Sequence, residues 1–262
     1  MRIALFVTCL VDLFRPAVGR AASRLLRSAG CEVEVPRGQT CCGQPAFNAG
    51  DRKNARKIAA STARLLDGYE HVVVPSASCA AMLRHQYPEL LDGTEAREAA
   101  ERVSRRTHEL TSFLAEVASD FRAEAARPET VCYHDSCQAL REMEVRDQPR
   151  RLLAAVEGLE LVEPAHPEEC CGFGGTFCVK YPDVSNHMVS RKAEDVLRTG
   201  ATTLCSTDMG CLLNIAGKLA REGASVGVRH VAELLAGDEG AAPIAGSRTR
   251  AASDLRPPGG GE

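Results

Sequence analysis

Residues 39–45 read QTCCGQP and residues 168–175 read EECCGFGG. Each places two cysteines side by side with a glycine behind them: Cys41, Cys42 and Gly43, then Cys170, Cys171 and Gly172. Adjacent cysteines do not readily bond to each other, because their side chains diverge and a disulfide needs a close Cβ–Cβ approach. A tripeptide of this kind, used twice, points to a shared ligand rather than a mutual bond.

Working outward, the two tripeptides sit in matching surroundings. The first half runs from RIALFVTC, ending at Cys9, through TCCGQ to VVVPSASC, ending at Cys79. The second runs from TVCYHDSC, ending at Cys137, through ECCGF to TLCSTDMGC, ending at Cys211. The step from Cys9 to Cys41 is 32 residues and that from Cys137 to Cys170 is 33; Cys42 to Cys79 is 37 and Cys171 to Cys211 is 40. Four cysteines recurring at such similar steps mark an internal duplication.

The runs RIALFV, CEVEV and HVVVP are short and β-rich, and TVCYH, LELVEP, TTLCS and VGVRH repeat them. Between them lie segments such as RPAVGRAASRLLRSAG and DVSNHMVSRKAEDVLRTG, with apolar residues at helical spacing and a glycine at the end. Strands alternating with helices predict parallel sheets covered on both faces. The expected fold is α/β: two duplicated Rossmann-like domains, each a parallel sheet flanked by helices, related by pseudo-twofold symmetry. The halves are expected at residues 1–92 and 129–236, joined by a charge-rich helical connection at 93–128. Residues 237–262, rich in Gly, Ala, Pro and charge, are expected to form a disordered tail.

In open α/β sheets, ligands gather beyond the carboxyl ends of the strands. Cys9, Cys41, Cys42 and Cys79 all fall there in the first half, and Cys137, Cys170, Cys171 and Cys211 in the second. Each half can thus converge four thiolates, a set that suits an iron–sulfur cluster or a structural zinc. The glycines let the loops turn tightly and bring backbone N–H groups near sulfur. Cys31 and Cys132, on predicted strands, read as packing, as do Cys178 and Cys205. Lys180, Arg191 and Lys192 read as a solvated helix face.

Composition narrows the partners. A formal charge of −3 gives no general case for nucleic-acid or membrane-surface binding, and the 4% aromatic content supplies no stacking platform. No apolar run approaches the roughly 20 residues of a membrane span. Twelve cysteines without an export signal suit a reducing cytoplasm, where such residues serve as metal or redox ligands. His134 and Asp135 flank Cys137, a pairing open to a thiol nucleophile with its base. The preferred reading is a strand-end cap or a hydrogen bond toward a metal site, with His134 able to carry a proton.

The duplicated Cys…Cys-Cys-Gly…Cys pattern resembles the cysteine-rich CCG-domain family of iron–sulfur proteins. That family includes the cysteine-rich component of heterodisulfide reductase, the iron–sulfur component of glycolate oxidase and the lactate-utilization proteins. CCGFGGTFCVKYPDVSNHMVSRKAEDVLRTGA (170–201), PSASC (75–79) and HDSC (134–137) are most similar to the lactate-utilization members. The resemblance implies an electron-transfer subunit in L-lactate oxidation to pyruvate, working with a ferredoxin-type iron–sulfur subunit and a further lactate-utilization subunit. The ferredoxin-like cysteine run of the glycolate oxidase component is absent from this sequence. The family motif closes each half with C-x-x-C, whereas Ser76 and Asp208 stand here at the first position of each. One four-thiolate [4Fe–4S] cluster per half is therefore expected, with zinc in one half as the alternative. Ser76 and Asp208 are auxiliary candidates for an oxygen ligand or a hydrogen bond to sulfur, and His134 is a third auxiliary candidate at the metal site.

Overall fold

The structure is a computed structural model that describes residues 1–237 and 241–246. It contains two four-stranded parallel sheets. The first is built from β1 (Arg2–Leu5), β2 (Glu32–Glu34), β3 (His71–Val74) and β4 (Thr107–Glu109), in spatial order β2-β1-β3-β4. The second is built from β5 (Thr130–Tyr133), β6 (Glu160–Val162), β7 (Thr203–Ser206) and β8 (Gly227–His230), in order β6-β5-β7-β8. The order is the same twice, as the duplicated pattern predicts, and the flanking helices complete two Rossmann-like α/β halves.

Register follows side-chain alternation. Ile3 pairs with Val33 on one side and His71 on the other, and Val131 pairs with Leu161 and Thr203. Ala4 and Phe6 point into a core under the helices Arg52–Leu66 and Arg97–Arg106. Ile3 and Leu5 point the other way, into a core that runs on without a break into the second half.

The expected connection at 93–128 contains more than helix. The helix Arg97–Arg106 gives way to β4, which pairs with β3 through Val72–Thr107 and Val74–Glu109. Thr107 and Glu109 are fully buried there, and Glu109 caps the next turn by accepting from the N–H groups of Thr111 (2.8 Å) and Ser112 (3.1 Å). The π-helical turn Phe113–Val117 then packs on the helix Asp147–Ala154 of the second half. In return, the helix Val231–Leu235 packs on Pro16–Ser28 of the first half, and Arg15 binds the buried Glu233 at 2.8 Å. Each half thus ends on a helix seated against the other.

Within the stretch 237–262, residues 241–246 run beside β8, where Ile244 N–H donates to Val228 O (2.9 Å) and Val228 N–H to Ala245 O (3.1 Å). The remainder of that expected tail, 238–240 and 247–262, lies outside the described residues. Among the described residues, no helix is long and apolar enough to cross a membrane.

Candidate metal centres

Cys9 opens the helix Cys9–Phe14 directly after β1, and Cys137 opens Cys137–Arg141 directly after β5. Cys79 and Cys211 lie in the first turns of the helices that follow β3 and β7. The paired cysteines come in on the loops after β2 and β6. Each loop turns on its glycine, with φ of +88° at Gly43 and +78° at Gly172. At Gly172 space matters as well: a Cβ there would lie 2.8 Å from Ser185 O and 3.0 Å from Met188 Cβ.

These elements bring four sulfurs together in each half. Cys41 interacts with both Cys9 and Cys42, and Cys42 with Cys79. Cys170 likewise interacts with Cys137 and Cys171, and Cys171 with Cys211. Burial repeats too: Cys42, Cys79, Cys171 and Cys211 are buried, while Cys9, Cys41, Cys137 and Cys170 keep partial access to solvent. The backbone N–H of Gly43 donates to Cys41 Sγ and that of Gly172 to Cys170 Sγ, both at 3.4 Å. None of the twelve cysteines forms a disulfide.

The electrostatics of this packing are those of a ligand set. Hydrogen bonds from Cys42 and Cys9, helped by the Gly43 N–H, hold the Cys41 thiol down at about 3. Those from Cys137 and Cys171, helped by the Gly172 N–H, hold Cys170 at about 2. The neighbours are pushed up in turn by the sulfur they donate to and by burial. Each half therefore carries one ready thiolate surrounded by thiols whose protons a metal would displace. Eight sulfurs in two converging sets, with backbone donors aimed at them, fit iron–sulfur or zinc ligation.

Two residues that spacing did not single out complete the loops. Tyr87, fully buried, donates its hydroxyl to Cys42 O at 2.9 Å, and Asn214 donates its amide to Cys171 O at 2.9 Å. Each pins the carbonyl of the buried member of a cysteine pair. Asn214 lies one helical turn beyond Cys211, the only sequence sign of its role.

The auxiliary candidates have distinct places. Asp208 caps its helix by accepting from Gly210 N–H (3.1 Å) and reaches the other half through Ser78 N–H (2.9 Å) and Ser76 Oγ (3.4 Å). Asp135, buried beside His134, is held by both guanidinium nitrogens of Arg150, at 3.0 and 2.6 Å, which argues against a base for Cys137. His134 is 1% exposed, neither ring nitrogen has a hydrogen-bond partner, and burial pulls its pKa down to about 3. Its ring approaches the sulfurs of Cys171 and Cys211, the three ligand atoms lying within 4.8 Å of one another.

The remaining cysteines pack apart from these sets: Cys31, Cys132 and Cys205 are buried in the core, and Cys178 donates to Gly175 O at 3.6 Å. Lys192 departs from its reading as solvated. It is fully buried, its ammonium donating to His166 O at 2.5 Å beside Asp195, because its position on Pro182–Arg198 faces the loop that leads to Cys170. Arg191, beside it, reaches Glu169 on the same loop.

Two parallel-sheet halves, each presenting four cysteines from matching strand ends, define a duplicated cysteine-rich α/β fold. The CCG cysteine-rich domain matches residues 3–84 and again residues 131–216, and the chain belongs to that family. It is 41% identical over 237 residues to lactate utilization protein A 2 of Bacillus cereus, covering 90% of this chain and 98% of that one. Lactate utilization protein A of Geobacillus thermodenitrificans is 44% identical over 236 residues, with the same coverage. Lactate utilization protein A 1 of Bacillus anthracis is 40% identical over 237 residues.

Proposed function

We propose that this chain is an iron–sulfur electron-transfer subunit of a multi-subunit oxidoreductase that serves L-lactate oxidation to pyruvate. The observation that carries this reading is the convergence of four cysteine sulfurs in each half. Cys9, Cys41, Cys42 and Cys79 would hold one [4Fe–4S] cluster; Cys137, Cys170, Cys171 and Cys211 would hold the other. Such a cluster, when bound, supplies one-electron transfer.

The protein's own part is to position and insulate. The strand-end loops fix the thiolates, Gly43 and Gly172 donate N–H groups to sulfur, and Tyr87 and Asn214 brace the loops. Hydrogen bonds to cluster sulfur tune its potential. The half-buried sulfurs of Cys9, Cys41, Cys137 and Cys170 form the side open to electron exchange.

Oxidising a 2-hydroxy acid to a keto acid removes two electrons and two protons, so a one-electron carrier works with partners. We assign that role to a ferredoxin-type subunit and a further lactate-utilization subunit in the cytoplasm. Large exposed apolar side chains adjoin both centres in sequence and suit such docking. Leu13 (72% exposed) and Phe14 (62%) lie on the helix that Cys9 opens, and Val179 (79%) follows the second cysteine loop.

A second reading places zinc in the second half, favoured by the His134 ring beside Cys171 and Cys211. Anaerobic purification with co-expressed partners tests both. A brown protein with about four irons per half and lactate-dependent dye reduction is expected. A colourless, zinc-loaded protein without that activity would overturn the iron–sulfur reading.

A further inference from the structure

The halves differ at one buried position. Three residues before the first cysteine stands Phe6 in one half and His134 in the other. Their backbones are equivalent: Phe6 N–H donates to Val73 O at 2.9 Å, and His134 N–H donates to Cys205 O at 2.8 Å. Both side chains are buried. Phe6 brings only carbon. His134 brings two polar nitrogens, and neither finds a hydrogen-bond partner in the protein. Buried polar atoms are rarely left this way, since each loses its water with nothing in return.

The surroundings show what would satisfy the ring. Asp135 does not compete for it, because Arg150 holds that carboxylate. The available donors nearby are Cys171 and Cys211, whose sulfurs lie with a ring nitrogen inside a 4.8 Å set. The nitrogen hydrogen-bonds to neither sulfur. Sulfur and nitrogen donors on one tetrahedral metal, at about 2.3 and 2.0 Å from it, stand roughly 3.5–3.8 Å from one another. The His134 nitrogen is thus grouped with the two interacting sulfurs around a common point without a hydrogen bond to either.

We infer that His134 is a ligand to the metal centre of the second half through a ring nitrogen, sharing one tetrahedral ion with Cys171 and Cys211 as in the zinc reading above, so that this centre is mixed imidazole–thiolate while the first is all thiolate. The inference rests on the metal-binding reading above.

X-ray absorption at the iron and zinc edges tests this on anaerobically prepared full-length protein, as wild type and His134→Phe, with metals counted on the same samples. An imidazole scattering shell is expected in the wild type. It should be lost in His134→Phe, which copies the ring of the first half, while the sulfur shell remains. A thiolate-only shell in metal-loaded wild type, or an imidazole shell that survives the substitution, overturns the assignment. The wild-type measurement does not depend on the variant folding, and His134→Gln gives a polar second test. Zinc without iron but with imidazole would overturn the iron–sulfur reading alone; iron with thiolate only would overturn the His134 ligand alone; no metal would overturn both.

Discussion

Asp208, in the second half, accepts a hydrogen bond from the backbone N–H of Ser78, in the first, at 2.9 Å. Cys79 and Cys211, which bring sulfur to the two centres, therefore sit on helices tied at their first turns by one buried carboxylate. The same oxygen receives the Ser76 hydroxyl, and the other oxygen receives Gly210 N–H. We predict that Asp208→Ala lowers the unfolding free energy by about 1.5–3 kcal/mol, the range for a hydrogen-bonded charged group. Ser76→Ala, at the long 3.4 Å contact, should cost less than about 1 kcal/mol. Denaturant midpoints at constant slope measure both, and equal losses would show that Asp208 does not bridge the halves.

Cys171→Ser is predicted to remove the metal of the second half and leave that of the first. Metal content should fall by half, and Cys42→Ser should give the complementary loss. Cys31→Ala, in the core away from both sulfur sets, should change metal content not at all. Full metal retention in Cys171→Ser would show the ligand assignment to be wrong.

The two loop glycines should respond unequally to alanine. Both have positive φ, which costs an L-residue about 1–2 kcal/mol. A Cβ at Gly43 meets nothing closer than Ile58 Cγ2, at 3.3 Å, whereas at Gly172 it runs into backbone at 2.8 Å. Gly172→Ala should therefore strip the second centre of metal under conditions where Gly43→Ala keeps the first. Equal metal retention would contradict this.

Acid should loosen the first sheet through a histidine pair. His71 Nδ1 and His108 Nε2, on adjacent strands, lie 3.1 Å apart. Burial, then the neighbouring His71 and Arg84, pull His108 down to about 4; burial also lowers His71. The folded pKa of His108 is below the unfolded value, so the native state binds fewer protons between about 6.5 and 4. The associated stability is present above that window and is lost as pH falls through it, by up to about 3 kcal/mol. Comparing wild type with His108→Gln at pH 7.5 and pH 4.5 checks this; a difference independent of pH would refute it.

Much of this molecule could be read from its amino acids because its clustered cysteines sit where strands end. Cys9, Cys79, Cys137 and Cys211 each follow an apolar β-rich run, so finding the strands located the sulfurs. What escaped reading depends on tertiary contact. Strand β4 is Thr-His-Glu inside a charge-rich run and lacks the apolar signal of a buried strand; it is held by backbone pairing with β3 and by the Glu109 cap. Lys192 looks solvated until His166 O accepts from its amine. Tyr87, 45 residues from the Cys42 carbonyl it pins, has no spacing signature. The meeting of Ser76 with Asp208 spans 132 residues and exists only once the halves are assembled.

The exchange of closing helices has a consequence for how this protein can be divided. A chain cut after residue 128 would bare the face of Pro16–Ser28 that Val231–Leu235 covers, and would leave Leu110, Phe113 and Leu114 without their neighbours. Neither copy of the ancestral unit is then self-sufficient. Duplication here yielded a clasp, and a gene carrying only one copy would yield a fragment with an unfinished core.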